Sequence, residues 1–131
     1  MSGSAAPLGP ADRELFERAC EAAGRAYAPY SGISVGAAVR ARDGTIITGA
    51  NVENSSYPLG ICAEQVALAR AVAHGVRPGG VGSIAVTAAP CGGCRQWLVE
   101  FGVDSVVFAR GDGELAARSV CDLLPESFRL D

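Results

Sequence analysis

Apolar positions recur every three to four residues along ADRELFERACEAAGRAY, residues 11–27, where Leu15, Phe16, Ala19, Ala22, Ala23 and Ala26 fall on one side of a helix. Asp12 is the expected N-cap, and Pro29-Tyr30-Ser31-Gly32 breaks the pattern. The next stretch, ISVGAAVRARDGTIITGANV, holds two β-type runs around Asp43-Gly44, which is common hairpin turn chemistry. After a polar loop, good helix formers run from Cys62 to about Ala73, and His74-Gly75 end them. GSIAVTA reads as a short buried strand. PCGGCRQWLVEFG reads as a helix stopped at Gly102, and DSVVFAR as another strand. Beyond a second Asp-Gly pair, Asp112-Gly113, ELAARSVCDLLP is either a short strand plus a helix or one helix. This α-β-β-α-β-α-β order places a central sheet between helices.

The chain has 131 residues, one domain's worth, with 49% hydrophobic and 19% charged residues, the profile of a folded globule. A tail at residues 1–10 and one domain at 11–131 are expected. The formal charge is -3, and the basic residues are all arginines spread along the chain. That distribution argues against a nucleic-acid groove. No apolar run approaches membrane-spanning length, and MSGSAAPLGP lacks the basic start and apolar core of a signal peptide, so a cytoplasmic protein is expected. Five cysteines without an export signal argue against a disulfide framework and for metal binding or reactivity.

Cys91 and Cys94 lie three apart at a helix start, so their thiols point the same way, and Gly92-Gly93 leave the backbone free to tighten around an ion. Cys62 also opens a helix, where the positive end of the helix dipole favours a thiolate by roughly 0.3–1 kcal/mol. Three thiolates at two helix ends could share a zinc ion and leave its fourth position open, as catalytic zinc sites do. Glu64, two residues beyond Cys62, would then move protons. Two other readings stand beside this one: a redox dithiol at Cys91 and Cys94, and a closed structural zinc site completed by Cys20, Cys121 or His74.

The combination of CAE with PCGGCRQ resembles the zinc nucleoside deaminases, and NVENSSYPLGICAE narrows the resemblance to cytidine deaminases of the short, homotetrameric type. YAPYSGISVGAAV and the terminal LLPESF extend it from about Tyr27 to Phe128. The resemblance implies a three-layer α/β/α fold with a mixed five-stranded sheet and Zn²⁺ held by Cys62, Cys91 and Cys94. It implies that Glu64 is the proton shuttle in hydrolysis of a cytosine nucleoside to its uracil counterpart and ammonia. Backbone groups at Ala63 and Pro90 would bind the pyrimidine edge, and Asn51 and Glu53, two apart at a strand end, would grip the sugar hydroxyls. Tyr57 and Phe128 match positions that complete a neighbouring subunit's site.

Two positions depart from the family pattern. Gln65 stands where most relatives carry an arginine that relieves the negative charge of the thiolates, and Ile33 stands where a phenylalanine usually packs on the nucleoside. The TAAPCGGC connection is also several residues shorter than is common. The expected function is cytidine/deoxycytidine deamination in pyrimidine salvage. The alternatives are a deaminase of modified or antibiotic nucleosides, resembling blasticidin S deaminase, and a non-catalytic zinc-binding module.

Overall fold

The computed structural model describes residues 8–130; seven of the ten residues expected as a tail lie outside that range. Helix α1 spans Pro10–Ala23 and begins one residue before the expected start at Ala11. Its N-cap is Gly9 rather than Asp12, because Pro10 at the first helical position needs no hydrogen-bond partner for its nitrogen. Asp12 instead sits in the first turn and accepts from the Gly9 N–H at 3.1 Å. The helix also ends before residue 27. Gly24, Arg25 and Ala26 tighten into successive three-residue turns, and Tyr27 leaves to hydrogen-bond Asn51, a contact that no helical periodicity encodes.

Strands β1 (Gly36–Ala41) and β2 (Ile46–Ala50) form the expected hairpin, with Gly44 at φ 95° in the turn. A three-residue 3₁₀ turn, Tyr57–Leu59, precedes α2 (Ala63–Ala73). Next come β3 (Val81–Val86), α3 (Gly92–Phe101) and β4 (Ser105–Ala109). Gly102 closes α3 in the left-handed conformation, at φ 62°. The ambiguous C-terminal stretch resolves into a strand followed by a helix, β5 (Leu115–Arg118) and α4 (Val120–Leu123).

Among the described residues the five strands make one mixed sheet in the order β2-β1-β3-β4-β5. All neighbours are antiparallel except β3 and β4, which run parallel around α3. Strand alternation divides β1 between two cores. Ala38 joins Leu15, Ala19, Ala85 and Val107 beneath α1, while Ala37 and Val39 join Ala67, Leu68, Ile84 and Leu98 beneath α2 and α3. This is the expected three-layer α/β/α arrangement.

Two glycines set how closely the helices approach the sheet. A Cβ on Gly36 would overlap the α1 backbone at Ala19 and Ala23. A Cβ on Gly49 would overlap the backbone N of Ala67 and lie 2.7 Å from the Ala63 carbonyl oxygen. The second contact matters for function, since α2 carries Glu64 in its first turn and Cys62 at its N-cap.

Candidate metal centre and active-site cleft

Two helix starts converge on the same spot. Cys62 is the N-cap of α2 and Cys91 the N-cap of α3, both in extended backbone, while Cys94 lies inside the first turn of α3. The Cys91 sulfur accepts from the Cys94 backbone N–H at 3.5 Å, taking the place a serine or aspartate oxygen usually has at a helix N-cap. The Cys62 and Cys91 sulfurs are 3.9 Å apart, and all three sulfurs lie within 4.8 Å of one another. Zinc–sulfur bonds of about 2.3 Å in a tetrahedral array put sulfurs roughly 3.8 Å apart, so the three thiols fit a zinc ion with small adjustment. Cys62, Cys91 and Cys94 thus form a candidate metal site whose donor chemistry suits zinc.

Among the described residues no further cysteine or histidine joins this cluster. His74 caps the opposite end of α2, with Nδ1 2.8 Å from the Arg70 carbonyl oxygen. Cys20 lies on α1 and Cys121 on α4, both exposed. The donor set is therefore three sulfurs, the number that leaves one zinc position for substrate chemistry.

The protonation states follow from burial and from neighbouring charge. Burial pushes the Cys94 thiol far above its ordinary range, and the nearby Glu64 charge adds to that. Burial also raises Cys62. At Cys91 the burial effect is outweighed by hydrogen bonds, chiefly from the Cys94 backbone, and the thiol is more acidic than usual. Zinc must thus displace protons from at least two reluctant thiols on binding. The Gln65 side chain donates to the Cys94 sulfur at 3.8 Å, a neutral contact that stabilises the thiolate without supplying positive charge. Glu64 is only 3% exposed, and burial raises its pKa above the usual carboxylate range.

A cleft of about 290 Å³ opens beside the sulfurs. Cys62, Cys91 and Glu64 line it together with Ala63, Ala88, Ala89, Asn51, Glu53 and Tyr57. Tyr57 is 77% exposed at the rim. The structure therefore brings together eight of the residues expected at the site: the three cysteines, Glu64, Ala63, Asn51, Glu53 and Tyr57. The other expected positions lie outside the cleft lining. Ile33 is 64% exposed, and Pro90 is buried with its carbonyl accepting from Arg95 Nε at 2.9 Å. Phe128 is 70% exposed, and its carbonyl receives the Gln96 side chain at 3.1 Å.

Asn51 and Glu53 have partners that sequence reasoning did not anticipate. Asn51 Oδ1 accepts from the Val35 N–H at 2.7 Å and its Nδ2 donates to the Ile33 carbonyl at 2.9 Å. Glu53 accepts from the Tyr30 and Ser31 backbone N–H groups at 2.9 and 3.1 Å, and from the Ser31 hydroxyl. The Ser31 hydroxyl, its backbone N–H and that of Tyr30 hold the Glu53 carboxyl below its ordinary pKa, so it is an acceptor-only carboxylate at neutral pH. Ser31, Val35, Ala88 and Ala89 were missed as site residues. Ser31 and Val35 lie within the YAPYSGISVGAAV segment that carries the resemblance, but their partners are 16 to 22 residues away, beyond any local periodicity.

The chain matches the family model described as the cytidine and deoxycytidylate deaminase zinc-binding region over residues 10–110. It is 41% identical over 123 residues to the cytidine deaminase of Sporosarcina psychrophila, covering 88% of this chain and 89% of that one. It is 40% identical over 126 residues to the cytidine deaminase of Mycobacterium tuberculosis, covering 89% of each. The crystal structure of cytidine deaminase from Burkholderia pseudomallei superposes with a TM-score of 0.83 at 45% identity, covering 88% of this chain and 98% of that one.

Proposed function

This chain belongs to the family of cytidine and deoxycytidylate deaminases, and from that premise we infer that it is a zinc-dependent hydrolase converting cytidine or deoxycytidine to the uracil nucleoside and ammonia. The observation that carries this reading is a cluster of three sulfurs within 4.8 Å of one another, with a buried carboxyl group lining the same cleft. Zinc, when bound, supplies a Lewis acid that makes water acidic enough to serve as a nucleophile near neutral pH.

The remaining work falls to the chain's own side chains. Glu64 accepts a proton from the attacking water and delivers it to N3 of the cytosine ring as the hydroxyl adds to C4. It then takes the proton of that hydroxyl group and passes it to the amine, which leaves as ammonia while C4 becomes the uracil carbonyl. The burial of Glu64 supports this role, because a carboxyl group whose pKa is raised by desolvation holds and returns a proton more readily than an exposed one. Glu53 and Asn51, which line the same cleft, are assigned to the sugar. Glu53 accepts from sugar hydroxyls, and the second Nδ2 hydrogen of Asn51 remains to donate beyond its bond to Ile33. Backbone groups near Ala63 and near Pro90, at the Ala88–Ala89 wall that leads into it, are assigned to the pyrimidine edge. The wall is apolar apart from its backbone, so it excludes water from around the base.

Tyr57 and Phe128 belong to this proposal as contributors to a neighbouring subunit's cleft in a homotetramer. Their exposure of 77% and 70% is that of side chains lacking a partner within their own chain. Ile33, with 64% exposure, is assigned to the same rim. A place in cytoplasmic pyrimidine salvage, with free nucleosides rather than nucleic acid as substrate, agrees with the net charge of -3 and the absence of a long apolar helix among the described residues.

The test is an ultraviolet assay of the zinc-loaded protein against cytidine, deoxycytidine, 5-substituted cytidines and adenosine, with and without a chelator. Conversion of cytosine nucleosides that stops with the chelator and returns with zinc is expected. A zinc-loaded, folded protein that leaves every cytosine nucleoside intact would refute the enzyme and leave a zinc-binding module.

A further inference from the structure

Three consecutive residues of α3 reach three different parts of the chain. Cys94 contributes a sulfur to the metal cluster. Arg95 donates through Nε to the Pro90 carbonyl and through Nη1 to the Leu123 carbonyl, each at 2.9 Å. Gln96 donates to the Phe128 carbonyl at 3.1 Å. Arg95 is partly buried and forms no ion pair with the carboxylates among the described residues. Its charge is used on two main-chain oxygens whose residues are 33 positions apart.

We propose that Arg95 is a positioning residue that joins the zinc site to the C-terminal segment bearing Phe128, so that metal occupancy and the order of that segment depend on each other. This rests on the zinc reading above. Pro90 immediately precedes Cys91, and the peptide plane whose oxygen Arg95 holds is the one that leads into the Cys91 N-cap. The guanidinium is a rigid planar fork, so fixing one donor on Pro90 fixes where the other meets Leu123. Leu123 closes α4, which packs on α3 through Val120 and Leu123 in the same core cluster as Leu98. Four residues past α4 the chain arrives at Ser127 and Phe128, where Gln96 makes the next attachment. A shift of the Cys91 loop therefore pulls on α4 through one side chain. A lysine at position 95 keeps the charge but is a single point that cannot bridge both oxygens.

The experiment uses the full-length, zinc-loaded protein and its Arg95→Lys and Gln96→Ala variants. Three quantities are read: zinc transfer to a chromogenic chelator, the visible bands of Co²⁺ bound in place of zinc, and amide exchange at Asp122, Leu123 and Leu124. Those three amides are hydrogen-bonded to Ser119 and Val120 carbonyls and so report the order of α4. In the unaltered protein, removing zinc is expected to speed their exchange. Arg95→Lys should release zinc roughly 10-fold faster, the size of effect seen when groups orienting metal ligands are lost. It should also shift the Co²⁺ bands, which a mere loss of stability leaves in place. Gln96→Ala, which loosens only the attachment beyond α4, should quicken zinc release by less than Arg95→Lys and leave the Co²⁺ bands in place, since it touches neither Pro90 nor Leu123.

Zinc release within about twofold of the unaltered protein together with an unshifted Co²⁺ spectrum in Arg95→Lys would overturn the proposal. So would exchange at residues 122–124 that is indifferent to zinc in the unaltered protein, a measurement that needs no variant to fold. Failure of the unaltered protein to take up one zinc per chain would instead overturn the metal reading on which the proposal rests.

Discussion

Replacing Glu64 by glutamine separates proton transfer from everything else at the site. The side chain is 3% exposed, so an isosteric amide fills the same space without opening a cavity. What disappears is a titratable oxygen beside the sulfurs. Positioned acid–base groups contribute about 10²–10⁴-fold to rate, equivalent to about 2.7–5.4 kcal/mol of barrier. Glu64→Gln should therefore lose kcat on cytidine by about that factor while retaining one zinc per chain. The stability of the chelator-treated protein should also change its pH dependence. Burial raises the folded-state pKa of Glu64 above its ordinary 4.5. In the window between those two values the folded chain binds more protons at this residue than the unfolded chain, so this residue's contribution to stability falls as pH rises. The glutamine variant lacks that loss, and its advantage should grow from pH 4.5 upward and level off above the raised folded value. Urea titrations of metal-free protein along the pH range, together with an ultraviolet rate assay and zinc analysis, measure all three effects. Activity within about tenfold of the original in a zinc-loaded Glu64→Gln protein would refute the proton-carrier role, since it falls short of the smallest expected loss.

Gln65→Arg should place a cation on the Cys94 sulfur, now contacted by a neutral amide at 3.8 Å, and shift the acidic limb of the pH–rate profile downward; an unmoved limb would refute the charge argument. Gly49→Ala forces a methyl group into the α2 backbone near Ala63 and Ala67, and overpacking of this kind costs about 1–3 kcal/mol. Thermal unfolding should register that loss, and because α2 carries Cys62 and Glu64, zinc release should quicken with it; an unchanged melting temperature would show that the helix yields freely. Ile33→Phe adds aromatic surface at the exposed rim and should alter the ratio of kcat/KM for 5-substituted against plain cytidine, and a constant ratio would remove Ile33 from substrate contact.

Much of this protein is legible along the chain because the relevant forces act over one or two turns. The Asp43-Gly44 and Asp112-Gly113 turns, the stop at Gly102 and the placement of Cys62 and Cys91 at helix starts all follow from local backbone preference and periodicity. The spacing of Cys91 and Cys94 already puts two sulfurs on one side of a helix start. That Cys62 would join them came from the combined motif, since a separation of 29 positions from Cys91 carries no local signal of proximity.

The sheet order decides the rest. Placing β3 beside both β1 and β4 brings the starts of α2 and α3 to one end of the sheet, and the sulfurs meet there. The same packing commits Asn51 and Glu53 to the segment at residues 30–35 and sends Arg95 to the Pro90 and Leu123 carbonyls. Such contacts satisfy main-chain donors and acceptors that become neighbours only after the layers assemble. Residue types and their local periods thus determined which groups were available for chemistry and which elements would carry them. Their partners, their burial and the resulting shift of Glu64 and the cysteines were decided by tertiary packing, because desolvation and long-range hydrogen bonding arise only once distant segments have displaced water from between them.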